Sequence, residues 1–179
     1  MALTNKLSAI GDAIREKTGT TDLLKLDEMP TAIANISGGG KYAPRHISFY
    51  KYKGTELNDE IVNLDTNNIT DMSDMFYLCN YLITLDLLNF DTKLVTTMNG
   101  MFYNCSKLRT LEGLPNFNTS LVSNMANMFY GCENLTSLDV SNFNTSNVTT
   151  MSYMFCNCKA LTSLDLSNFN TSLVSNMAY

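Results

Sequence analysis

Four cysteines recur at one position of a repeated pattern and are the residues best suited to redox or metal chemistry. Cys79, Cys105, Cys132 and Cys158 are separated by 26, 27 and 26 residues. Equivalent positions stack in a repeat array, so we expect a buried ladder in which cysteine acts as a small apolar residue. His46 is the only histidine and lies outside the repeats, and no second pair accompanies Cys156 and Cys158 at zinc-finger spacing. The pattern therefore favours packing over metal binding.

Four acidic residues share another repeat position, on the outward side of a predicted strand. Stacked strands would place their carboxylates about 5 Å apart. Like charges in a row raise each other's pKa or attract a cation, but calcium needs roughly six to eight oxygens around one point. We therefore interpret the row as part of a solvated recognition face. That face comprises Thr84, Asp86, Thr110, Glu112, Ser137, Asp139, Ser163 and Asp165.

No constellation in the sequence predicts catalysis. A nucleophile–base pair built on histidine could involve only His46, which has no supporting motif. The glycines at 38–40 are not followed by the Lys and Ser or Thr of a phosphate-binding loop. We predict a protein without catalytic residues, cofactor or resident metal.

The charge distribution argues against nucleic acid and membrane partners. Residues 61–179 carry four basic and nine acidic side chains, which account for the whole net charge of −5. Phosphate binding needs clustered basic residues, and no segment has the roughly 20 apolar residues of a membrane span. We identify no secretory signal at the start of the chain, because a charged segment followed by an apolar segment is not found there. We expect synthesis in the cytoplasm, where disulfides are not expected, and no membrane insertion.

The elements that must position these residues are repeats. Leu82–Lys107 and Leu135–Ala160 share the pattern L-x-x-L-x-L, N-F, V, then M-x-x-M-F-x-x-C. The first part predicts a short parallel strand, and the spacing of the second predicts a short helix on the opposite side. We predict an α/β repeat solenoid over 61–179, with repeats starting near 61, 82, 108, 135 and 161, the last incomplete.

Two further repeated positions are interpreted as structural. An asparagine follows each predicted strand and is expected to satisfy backbone groups at the bend. The methionines of the M-x-x-M-F segment are expected in the core rather than in a pliable binding groove. The asparagines are Asn89, Asn116, Asn142 and Asn168.

The residues before the repeats predict a small helical segment over 1–37, a glycine linker at 38–40 and a strand region over 41–60. Leu3, Leu7, Ile10 and Ile14 have helical spacing and would form one apolar face. This segment is expected either to cap the first repeat or to serve as a docking element, including self-association of the chain through its helices. The two roles are compatible.

The repeat resembles the BspA-like leucine-rich repeat of bacterial surface proteins and lipoproteins. That resemblance covers roughly 46–179 and implies a leucine-rich solenoid used in adhesion or protein binding. The segments Ala13–Gly19 and Asp27–Ile33 resemble tail and minor structural proteins of phages and prophages. We therefore expect a tail-associated virion component that binds other virion proteins, or a host surface protein or glycan. The alternative is an adhesin on the bacterial cell surface.

Overall fold

Successive repeats of the chain lie beside one another in the same orientation. The structure is a computed structural model that describes residues 48–56 and 64–179. Strand β1 spans Thr84–Asp86, and strand β2 spans Thr110–Glu112. The two strands pair in parallel, with Thr84 opposite Thr110. A 3-10 helix, Leu114–Asn116, follows β2.

Parallel bridges between single residues continue the pairing through the described repeats. Each bridge joins equivalent positions of neighbouring repeats, so that the copies keep a constant register. They connect Asp71 to Thr97, Thr97 to Asn124, Asn124 to Thr150, and Thr150 to Asn176. We refer to this arrangement as the repeat stack.

The predicted α/β leucine-rich solenoid is wrong. In 48–56 and 64–179 the chain is mostly turns and irregular backbone, with two strands of three residues and no α-helix. A strand was predicted at the head of every copy, but only the copies at 82 and 108 have one. The predicted amino-terminal helix with its apolar face of Leu3, Leu7, Ile10 and Ile14, and the linker at 38–40, lie outside the described residues.

The predicted helix in each repeat is replaced by turns because its backbone bonds run between repeats. The N–H groups of Met98, Gly100 and Phe102 donate to carbonyl oxygens 26 residues further along the chain, at 2.9–3.0 Å. The N–H groups of Met101 and Tyr103 donate instead to carbonyls three residues back. An α-helix would direct all of them to the fourth residue back. Alternate N–H groups therefore connect the stack.

Left-handed backbone at two positions of each repeat also excludes a helix. A residue with φ near +60° cannot continue a right-handed helix. Glycine, asparagine and aspartate adopt this conformation at least cost and occupy most of these positions. One position holds Asp74, Gly100, Asn127, Tyr153 and Tyr179, and the other holds Lys51, Leu78, Asn104, Gly131 and Asn157.

The core is a continuous apolar column through the stack. Phe49, Phe76, Phe102, Phe129 and Phe155 lie in a row, with neighbouring ring centroids 5.2–5.7 Å apart and nearly parallel planes. Methionines, leucines and valines from equivalent positions fill the remaining volume.

Within the described ranges, no helix is long and apolar enough to cross a membrane.

Candidate functional site

The predicted recognition face lies at the head of four successive repeats. β1 and β2 bring Thr84, Asp86, Thr110 and Glu112 together on a two-stranded sheet. Ser137, Asp139, Ser163 and Asp165 hold the corresponding positions in the next two repeats, where the backbone is irregular. Seven of the eight residues are exposed, and Asp86 is partly buried. We call these eight residues the strand face.

The aspartates of the strand face accept hydrogen bonds from their own chain. The Oδ1 atom of Asp139 accepts the backbone N–H of Ser141 at 3.0 Å, and Asp165 accepts that of Ser167 at 2.9 Å. The hydroxyl and then the N–H of Ser141 hold the pKa of Asp139 below its usual range. The N–H and then the hydroxyl of Ser167 lower the pKa of Asp165. At these two residues local hydrogen bonds outweigh the like-charge effect that the spacing suggested.

The carboxylates of the strand face and the repeated cysteines are the side chains best suited to hold a metal ion. Among the residues that the structure describes, no three or more His, Cys, Asp or Glu side chains are grouped so that they could hold a metal ion. His46 lies outside the described residues.

The four repeated cysteines lie in the core as free thiols. Each Sγ donates to the carbonyl oxygen of a phenylalanine in the preceding repeat, at 2.9–3.2 Å. Cys79, Cys105 and Cys132 are fully buried, whereas Cys158 is partly buried. Burial raises the pKa of Cys79 to about 12 and that of Cys158 to about 11. Thiols held protonated in this way are weak nucleophiles at neutral pH.

Two of the asparagines that follow the strand positions donate hydrogen bonds to the backbone of the preceding repeat. The side-chain amide of Asn142 donates to the carbonyl of Pro115 at 2.9 Å, and that of Asn168 donates to Ser141 at 2.8 Å. Asn116 ends the 3-10 helix, and its backbone N–H donates to Gly113. Asn89 is exposed and takes part in other contacts.

A family model described as "Mycoplasma protein of unknown function, DUF285" matches residues 46–112 and 109–179. The chain belongs to the DUF285 family. The two tandem matches together span residues 46–179, which include all of the predicted repeats from residue 61 onward. DUF285 is a repeat family in the BspA-like area, so that the resemblance seen in the repeat is confirmed at this level. The family match carries no link to phage tail proteins. No curated protein and no solved structure matches the chain.

Sequence reasoning missed a ladder of buried threonines in this DUF285 member. Thr119 Oγ1 accepts the backbone N–H of Asn144 at 2.7 Å and donates to the carbonyl of the same residue at 3.1 Å. Thr92 and Thr145 make the same pair of bonds to the following repeat. The signal was a threonine two residues after the phenylalanine of each N-F pair. A hydroxyl fits there because it both donates and accepts.

A second missed feature is a row of tyrosines on the turns that carry M-x-x-M-F. We call it the tyrosine stripe, and it consists of Tyr50, Tyr77, Tyr103, Tyr130, Tyr153 and Tyr179. Tyr103 stacks on Tyr77 and on Tyr130, in both cases with centroids 4.6 Å apart. Burial, followed by the neighbouring phenols, raises the pKa of Tyr103. The signal was the tyrosine that follows M-F in three copies.

Proposed function

We propose that this protein is a non-catalytic attachment protein, associated with a phage or prophage tail, that binds a host-surface molecule or another virion protein through the strand face. The observation that supports this function is the exposure of the same polar residue types at equivalent positions of four successive repeats. Such a row offers a partner the same chemistry several times in a fixed register.

Backbone hydrogen bonds hold the first two of the four repeats of the strand face in a fixed register. The N–H groups of Arg109 and Thr110 donate to the carbonyl of Ile83, and the N–H of Leu87 donates to that of Glu112. Side chains carried on a backbone that is already ordered lose less freedom when they bind. The strand face therefore suits recognition of an extended or repetitive surface.

The tail association rests on the amino-terminal sequence. Ala13–Gly19 and Asp27–Ile33 resemble segments of phage structural proteins, and they supply the proposed docking element. A protein divided in this way would fix one end to the particle and present its repeats to a partner.

Quantitative mass spectrometry of gradient-purified phage particles tests this location. We expect peptides of the chain at a constant ratio to the tail proteins, with other cytoplasmic proteins lost during purification. Particles free of these peptides would contradict the tail association. A specific turnover abolished by one point substitution would contradict the non-catalytic role.

The second candidate is a cell-surface adhesin. It is favoured by the BspA-like character of the repeats, which the DUF285 matches support at the level of the repeat family. In that case the chain would be recovered from cell-envelope fractions of the source strain and would be accessible to protease added to whole cells.

A further inference from the structure

The tyrosine stripe has the chemistry of a second binding surface, separate from the strand face. From Tyr50 to Tyr130 the rings stack without a break, with centroids 5.7, 4.6 and 4.6 Å apart. Tyr153 contacts Tyr130 edge to face and stacks on Tyr179 at 4.9 Å. These tyrosines, apart from the more exposed Tyr153 and Tyr179, are partly exposed.

The stacking determines what the stripe presents to solvent. Neighbouring rings cover each other's faces, so the groups left outward are ring edges and phenol hydroxyls, one per repeat. A phenol hydroxyl both donates and accepts, and tyrosine gives a large rigid contact area at low entropic cost. The stripe is therefore a preformed row of polar groups on an aromatic base.

Uncharged amides flank the middle of the stripe. The amide of Asn157 donates to the hydroxyl of Tyr130 at 3.4 Å, and the amide of Asn127 lies 3.5 Å from Oδ1 of Asn99. Asn104 follows Tyr103 directly. An anionic polymer would gain little there, because phosphate or sulfate groups bind where basic residues cluster, and Lys51, whose Nζ lies over the Tyr50 ring, is at the first end of the stripe rather than at its middle. The composition selects a neutral partner rich in hydroxyl or amide groups.

The spacing of the stripe selects a class of neutral polymer. Side chains on one face of an extended peptide recur about every 6.6–6.8 Å, whereas the stacked rings of Tyr77 and Tyr103 are 4.6 Å apart. The side chains of a bound peptide would therefore lose their match to the tyrosines within about two repeats. Sugars of an extended linear polysaccharide recur at a length close to one repeat of the stack. A sugar beside Tyr103 or Tyr130 could then meet one tyrosine hydroxyl and one asparagine amide, whereas the equivalent positions beside Tyr77 hold Asp74 and Leu78.

We propose that the tyrosine stripe binds a linear neutral glycan, one sugar to each repeat, centred on Tyr77, Tyr103 and Tyr130. The biological sense of this site rests on the proposed attachment function. The binding itself does not depend on virion association, so that each can fail without the other.

Calorimetric titration of the purified full chain with chitohexaose and, separately, cellohexaose tests the site. We expect saturable binding of at least one of them. The combined variant Y77F/Y103F/Y130F keeps the stacked rings and removes three hydroxyls, so binding should weaken roughly tenfold or more. The variant Tyr81→Phe removes the hydroxyl of an exposed tyrosine that belongs to neither the stripe nor the strand face, so it is the matched control and should bind as the unaltered chain does.

Three results would overturn the proposal. One is the absence of saturable binding of both oligosaccharides up to millimolar concentration. Another is equal binding by the unaltered chain and the variant Y77F/Y103F/Y130F, when circular dichroism shows that both are folded. The third is an equal loss of binding in Tyr81→Phe and in Y77F/Y103F/Y130F, which would place the glycan elsewhere.

Discussion

At the scale of single residues, the buried threonines are the polar groups on which the register of the stack depends most. A threonine hydroxyl in this ladder makes two bonds to the backbone of the next repeat while its methyl group packs in the interior. Replacing it by an isosteric apolar residue leaves a buried N–H and a carbonyl unsatisfied, which costs more than the bonds themselves contribute.

Thr119→Val is expected to lower the free energy of unfolding by roughly 2–4 kcal/mol, because the N–H and the carbonyl of Asn144 both lose their partner. Thr149→Val is the matched control. Its hydroxyl donates a single exposed bond to Ser123, and its loss should cost under about 1 kcal/mol. Urea unfolding followed by circular dichroism measures both, and equal losses would show that the ladder has no special role.

The buried thiols give the stability a pH dependence with a defined sign. Burial raises the pKa of Cys105 well above its ordinary value of 9.0. The folded state therefore holds this proton more tightly than the unfolded state. The stabilisation is complete below about pH 9 and is lost as the pH rises toward the folded pKa.

Cys105→Ala should accordingly be less stable than the unaltered chain at neutral pH and should lose less stability as the pH rises. We expect the difference between the two to narrow between about pH 8 and pH 10.5. Urea unfolding in the presence of a reducing agent measures it. A difference that stays constant over this range would contradict a protonated buried thiol.

At the scale of elements, glycine has a demonstrable role where the chain leaves β2. Gly113 has φ of +87°, and a Cβ atom there would lie 2.6 Å from the backbone of Leu87 and Leu88. Backbone atoms of a neighbouring repeat cannot move aside without disturbing the strand pairing. This residue occupies the copy that is one residue longer than its neighbours.

Gly113→Ala is therefore expected to destabilise the chain by roughly 2–4 kcal/mol, through both the positive φ and the backbone clash. Asn157→Gly is the control, since Asn157 already has φ of +60° and contributes one weak bond to Tyr130. It should change stability by under about 0.5 kcal/mol. Thermal unfolding compares the two, and a neutral Gly113→Ala would contradict the packing described at this turn.

The sequence predicted the repeat and its apolar positions better than it predicted the elements. The spacing of Met98, Met101, Phe102 and Cys105 suits one face of a helix, and equally suits a series of turns that each return to the core. What decides between them is the partner of each N–H, and half of these partners lie in the next repeat. A pattern read within one repeat does not contain that information, although the asparagines and glycines at 100, 104, 127 and 131 were a local signal for left-handed backbone.

The candidate sites also differ in whether the sequence predicted them. Residues of the strand face could be found because they alternate with apolar residues, most of which are buried or partly buried. The threonine ladder and the tyrosine stripe were missed because a single threonine or tyrosine per repeat has little meaning until neighbouring copies are placed side by side.

At the scale of the whole molecule, the stack should unfold cooperatively because the phenylalanine row joins neighbouring repeats as far as Phe155, and backbone hydrogen bonds from Met151 and Tyr153 join the last one. Phe102 lies between two stacked rings and is fully buried, whereas Phe155 has a ring stacked on one side and is partly buried. Phe102→Ala should cost about 3–5 kcal/mol and Phe155→Ala clearly less. Equal costs, or separate transitions for different repeats in urea, would contradict one cooperative stack.

The most direct test of the account measures binding of the purified full chain to isolated cell envelopes of the host. It compares a variant of the strand face with a variant of a neighbouring loop. Glu112→Lys combined with Asp139→Lys alters the strand face. Ser120→Lys combined with Ser146→Lys adds two positive charges on the neighbouring loop, where Ser146 is exposed and Ser120 partly so. We predict that the first variant loses roughly tenfold or more in affinity and that the second binds as the unaltered chain does. Equal binding by both variants, or equal loss in both, would contradict attachment through the strand face.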